Sequence, residues 1–334
     1  MPLIGIIAAA FRSFRTLAVA HDTSPSISVY AWSSGFGAKY SNPATLPTVT
    51  SQGVAFSPSG ANIAVAHSAT PYISAYPWSA GFGTKYSNPA TLPTGVGQGV
   101  AFTPSGAQLA VSHGVAPIIT VYAWSSGFGT KYADPATGPT GLGQGINFSP
   151  SGADLAVSHE VSPYISVYPW SPGFGTKYSN PATLPTGNGR DAAFNPSGSV
   201  LAIAHETTPY ISVYPWSSGF GTKYSNPATL PTGMGTGVAF SLSGADIAVA
   251  HFTSPSISVY PWSSGFGTKY ANPATLPAVN STKVAFSSSS ADIVISHGGS
   301  PNVSAYRWSS GFGTKYANPA TLPTGVGRDV AFTF

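Results

Sequence analysis

Cysteine is absent from the 334 residues, so disulfides and thiolate chemistry are excluded. Charge is scarce as well: Asp, Glu, Lys and Arg make up only 7% of the chain. Disorder does not follow, because 42% hydrophobic and 13% aromatic residues supply a core. No apolar run reaches the ~18 residues needed for a membrane-spanning helix, and no membrane span is expected. Glycine (38) and proline (31) are together about a fifth of the chain, which rules out long helices. The net charge of +4 comes largely from one lysine per repeat, a distributed surface property that does not suggest a nucleic-acid partner.

What is present is repetition. The seven tryptophans, Trp32, Trp78, Trp124, Trp170, Trp216, Trp262 and Trp308, stand 46 residues apart, and the seven histidines from His21 to His297 keep the same period. Seven periods leave 12 residues over, which gives no room for a second domain. The apolar start "MPLIGIIAAAFRSFR" resembles a signal h-region, but a basic segment before it and a clear cleavage site are missing. Residues 1–15 are therefore expected to be an N-terminal extension, and 16–334 the repeat domain.

One period, Gly53 to Gly99, shows the design. "GVAFSPSG" reads as a short strand closed by a Pro-Ser-Gly turn, "NIAVAH" as a second strand and "YISAYPW" as a third. "SAGFGTKYSNPATLP" bends into a fourth, outer segment, where Pro89 and Pro93 tolerate only an edge. Four short strands per period is the pattern of a propeller blade, so seven periods predict an all-β, seven-bladed β-propeller of four-stranded antiparallel blades.

The "VAFSPSG" strand and turn, followed by "YISVYPW" with its strand-ending aromatic, resemble the WD-repeat β-propellers over residues 16 to 334. The Trp-Asp dipeptide is missing, and "LPTG" stands where a Gly-His pair belongs. The near-identity of the blades resembles recently amplified propellers of bacteria and their phages. The final "DVAFTF" reads as a first strand without a second, and "TLAVAH" as a second strand without a good first; "AAAF" at residues 8–11 fits poorly. Val330 to Phe334 are expected to supply the innermost strand of the N-terminal blade and close the ring.

The histidines invite a metal or general-base reading. Equivalent atoms of second strands in neighbouring blades should lie on the order of 10 Å apart, too far to share a zinc at ~2.1 Å, so a structural role is expected. "GVGQG" and "GLGQG" resemble phosphate loops, but each precedes a strand with no helix and reads as a turn. No catalytic motif and no cofactor signature emerges, and a protein without chemistry is expected.

Two binding readings remain. The repeats differ mainly after the histidine and before the first strand, and in a meander blade those connections share one face. A variable recognition face is expected there, carrying Asp22, Tyr72, Glu160, Tyr164, Arg190, Glu206, Tyr210, Phe252, Lys283 and Arg328, with a protein or glycan as ligand. The alternative is a multivalent lectin, one sugar site per blade, on Trp78, Trp124, Trp170, Trp216, Trp262 and Trp308 of the "WSSGFGTKY" motif. Against it stands the reading of the same aromatics as staples for the outer segment. Low charge and abundant Ser, Thr and Gly point to an extracellular surface or virion protein, such as a phage receptor-binding component, acting as a monomer or within a larger assembly.

Overall fold

The structure, a computed structural model, describes residues 15–333. Residues 1–14 of the expected extension, "AAAF" included, lie outside them, whereas Arg15 begins a strand. The described residues form seven antiparallel sheets, and no helix among them is long and apolar enough to cross a membrane. The inner strands are Ser51–Phe56, Gly97–Phe102, Gly143–Phe148, Gly189–Phe194, Gly235–Phe240, Ser281–Phe286 and Gly327–Phe332. Each pairs with a strand ending in a histidine, which pairs in turn with the strand that leads to the tryptophan.

The fourth place differs from blade to blade, and one residue decides it. Where Ala31, Ala123 or Arg307 precedes the tryptophan, an outer strand forms at Phe36–Lys39, Phe128–Lys131 or Phe312–Lys315. Where Pro77, Pro169, Pro215 or Pro261 stands there, pairing shrinks to a single bridge between the tryptophan and the phenylalanine four residues on. Proline has no N–H to give to the ladder.

The apolar cores lie between blades. Ala18, Ala20, Ile27 and Val29 pack with Val54, Phe56, Ile63, Val65 and Tyr76 of the following blade, and the other interfaces repeat the pattern. Gly327–Phe332 pairs with Arg15–His21, matching Val19 to Val330 and Leu17 to Phe332. That blade, built from two distant chain segments, packs in one core with Val294, Val303 and Ala305.

Side chains of the invariant motif stitch blades together. The buried tyrosine of each third strand donates to a threonine carbonyl in the "PAT" segment of the preceding repeat, as Tyr76 Oη does to Thr45 at 2.8 Å. The next threonine reaches the turn of the following blade, as Thr94 Oγ1 does to the carbonyls of Val115 and Ala116, both at 2.9 Å. A motif that holds two blades at once tolerates little change.

Candidate functional site

The histidines are buried, and their contacts fix their chemistry. In all seven blades Nε2 lies 2.9–3.1 Å from the hydroxyl of a Ser or Thr on the third strand, as in His159 and Ser166. In five blades Nδ1 lies 2.8 Å from the carbonyl two residues on. A carbonyl can only accept, so Nδ1 carries the hydrogen and Nε2 accepts from the hydroxyl. Burial drives each histidine down to about 4, which keeps it neutral near pH 7. With both ring nitrogens occupied in those five blades, no lone pair is free for a metal there.

The tryptophans are 3–6% exposed. Trp216 meets Tyr178, Phe194 and Phe220 edge-on at 5.1–5.8 Å, and Trp78, Trp124, Trp170, Trp262 and Trp308 have equivalent aromatic partners. Stacking on a sugar needs an open ring face, so the lectin reading is corrected on geometry: these rings are core. Three of the indoles also donate to carboxylates. Trp32, Trp216 and Trp308 reach Asp292, Asp154 and Asp246 at 3.0–3.1 Å. The same aspartates accept from Tyr316, Tyr178 and Tyr270.

The remaining polar chemistry gathers where the seven inner strands converge. A cavity of about 270 Å³ is lined by the second residue of every inner strand: Gln52, Gln98, Gln144, Arg190, Thr236, Thr282 and Arg328. Met234, Phe252, Ser281 and Lys283 complete its wall. One residue deeper the blades stand close together. A Cβ on Gly53 would lie 2.7 Å from the Gln98 carbonyl, and one on Gly99 2.8 Å from that of Gln144. Glycine is the residue that this approach admits.

Three blades break the pattern at that depth, with Asp191, Lys283 and Asp329 where the other four have glycine. Asp191 Oδ1 pairs with Lys283 Nζ at 2.6 Å, and Asp191 Oδ2 accepts from Val238 N at 3.0 Å. Asp329 accepts from Val54 N at 2.9 Å and Val330 N at 2.8 Å. It is half-buried and follows Arg328 of the cavity lining without itself being one of the lining residues. Burial pushes its carboxyl up to about 6; Lys283 and the two amides pull it down, and nearby Asp191 pushes it further up. A carboxyl that titrates near neutrality beside an ammonium can exchange protons with a bound molecule.

The residues expected on the variable face are divided by the structure. Arg190 lies between Glu160, 3.4 Å away, and Glu206, and Arg328 pairs with Asp22 at 3.2 Å. Gln144 Nε2 donates to Glu160 at 2.7 Å. Phe252 is 46% exposed on the cavity wall. Tyr72, Tyr164 and Tyr210 are half-buried in the turns before their third strands, each at positive φ after a cis proline, and stand outside the cavity lining. Sequence reasoning missed Asp191, Asp329 and the glutamines. Their signal was present: "GRD" and "STK" interrupt a column otherwise held by glycine.

No protein-family model and no curated protein matches the chain. Solved structures do match its fold. A candidate 6-phosphogluconolactonase from Bacteroides fragilis NCTC 9343 is 11% identical at a TM-score of 0.74, covering 98% of this chain and 99% of that one. The periplasmic gluconolactonase PpgL of Pseudomonas aeruginosa is 14% identical at 0.74, covering 96% and 99%. A candidate 6-phosphogluconolactonase from Bacteroides uniformis ATCC 8492 is 13% identical at 0.69, covering 96% and 99%. These neighbours correct the expectation of a recognition propeller without chemistry: all three carry enzyme names, and none carries a WD-repeat name. At such identities the likeness itself is one of fold. The chain is similar, over nearly its whole length, to propeller proteins of the lactonase kind.

Proposed function

We propose that this chain is a hydrolase of small cyclic esters, working in the well at the centre of a propeller whose ring the last strand closes. In this reading the propeller takes residues 16–334 and the extension residues 1–15, of which Arg15 is already paired with Trp32. Closure is supported by the pairing of Gly327–Phe332 with Arg15–His21 and by the core that this blade shares with Val294 and Val303. The observation that carries the enzymatic reading is the trio Asp191, Lys283 and Asp329, three ionisable side chains at a depth where the other blades admit only glycine. The names of the fold neighbours supply the reaction class.

The chemistry follows from the placement. A lactone carbonyl enters the well, and a water beside Asp329 attacks its carbon while the carboxylate takes the water proton. The Lys283 ammonium, held by Asp191, donates to the oxygen that becomes negative. Collapse breaks the ring C–O bond, and the proton on Asp329 passes to the departing alkoxide. Lactone and water become a hydroxy acid, and the protein ends as it began.

Acid release from glucono-δ-lactone, γ-butyrolactone and phenyl acetate, followed at constant pH against the spontaneous rate, tests this reading. It predicts acceleration of at least one lactone and its loss in Lys283→Met. Rates equal to the spontaneous ones across the panel would refute it.

A further inference from the structure

The upper wall of the well is asymmetric, and the asymmetry bears on what enters. Gln52, Gln98 and Gln144 occupy the same position on three consecutive blades and form one continuous arc. The two threonines at that position do not offer their hydroxyls. Thr236 Oγ1 donates to the carbonyl of Ser281 at 2.7 Å, and Thr282 Oγ1 to that of Gly327 at 2.7 Å. Gln144 uses its amide N–H on Glu160. The side-chain amides of Gln52 and Gln98 have no partner among the described residues, although both are half-buried and line the cavity.

The cations of the well are all engaged. Arg190 lies between Glu160 and Glu206, Arg328 pairs with Asp22, and Lys283 pairs with Asp191. The Nε–H groups of both arginines are buried, beyond the reach of a ligand. Against these three cations stand five carboxyls once Asp329 is counted, so among the described residues the well holds no unpaired positive charge for a phosphate. Across from the glutamine arc, Phe252 and Met234 present an apolar wall. Two neighbouring free amides, those of Gln52 and Gln98, each both donor and acceptor and facing an apolar surface, suit a ring whose edge carries hydroxyls and whose faces carry C–H groups.

We infer that the glutamine arc is a specificity subsite for an uncharged, polyhydroxylated ring, and that the well disfavours the same ring bearing a phosphate. This rests on the hydrolase reading for the reaction, but the recognition it describes can be measured without turnover. The probes are 1,5-anhydroglucitol, a neutral ring polyol with no carbonyl, and its 6-phosphate, titrated by ligand-observed NMR. The unphosphorylated ring should bind at least tenfold more tightly than the phosphate. Gln52→Leu with Gln98→Leu should weaken it at least tenfold. The single Gln98→Asn, which keeps the amide but shortens its reach, provides a second variant should the double one fold poorly. Tighter binding of the phosphate, no binding of the neutral ring, or unaltered binding in the glutamine variants would overturn the inference. Normal polyol binding by a protein that hydrolyses no lactone would instead leave the subsite standing and remove the hydrolase reading.

Discussion

Lys283 Nζ lies 2.6 Å from Asp191 Oδ1 and so joins two inner strands, Ser281–Phe286 and Gly189–Phe194, that have a third between them. A near-perfect sevenfold repeat has thereby acquired one place with no symmetry mates. Replacing Lys283 with Met removes the positive charge that draws the Asp329 carboxyl down, so the pH at which Asp329 titrates should rise. The carboxyl-region infrared difference spectrum, or the side-chain carboxyl carbon shift, reads this directly. An unchanged midpoint would mean that the two groups do not sense one another.

The histidines make the fold sensitive to acid. Each is held at about 4 when folded, below its ordinary 6.5, so between those values the unfolded chain binds more protons than the folded one. Stability is therefore complete above about pH 6.5 and falls as the pH drops toward 4. Asp329, raised to about 6, acts in the opposite sense by one proton. Guanidinium unfolding between pH 4 and 7 should show a net uptake near pH 5 of about six protons, each worth about 1.4 kcal/mol per pH unit. An uptake of one or two would mean that the rings are already charged in the folded state.

Tryptophans that look equivalent in sequence are not equivalent in energy. Trp216 Nε1 donates to Asp154 at 3.1 Å, whereas Trp170 Nε1 is buried without a partner among the described residues. The acceptor column holds Asp154 for one and Gln108 for the other. Trp216→Phe should then cost about 1–3 kcal/mol more than Trp170→Phe, because it strands a buried carboxylate. Equal costs in denaturant melts would refute the assignment.

One proline decides an outer strand. Pro215→Ala restores an N–H at the position where Ala123 supports the pairing of Phe128–Lys131. Hydrogen exchange at residue 215 should become slow, with stability changed by less than about 1 kcal/mol, as the new bond offsets the freer unfolded chain. Fast exchange there would place the cause elsewhere in the segment.

The 46-residue period made the blades legible, because a repeated unit must solve the same packing problem each time. The burial of the histidines and tryptophans was legible for the same reason. What periodicity could not reveal was the site, which lies where the repeat fails. Arg190, Lys283 and Arg328 stood out as loop charges, yet their neighbours Asp191 and Asp329 went unread. A carboxyl in a glycine column matters only once seven strands converge there. The missing outer strands were readable from Pro77, Pro169, Pro215 and Pro261, but only with the ladder register in hand.

The most direct measurement of the central claim is the pH dependence of lactone hydrolysis, corrected for the spontaneous reaction, in the native protein and in Asp329→Asn. As a general base Asp329 works deprotonated, so the native rate should climb through about pH 6 and level off above it. The variant should lose at least a hundredfold in kcat and the titration with it, while keeping the native melting temperature to within a few degrees. A folded Asp329→Asn protein that hydrolyses the lactone at the native rate, with the same rise near pH 6, would contradict the account.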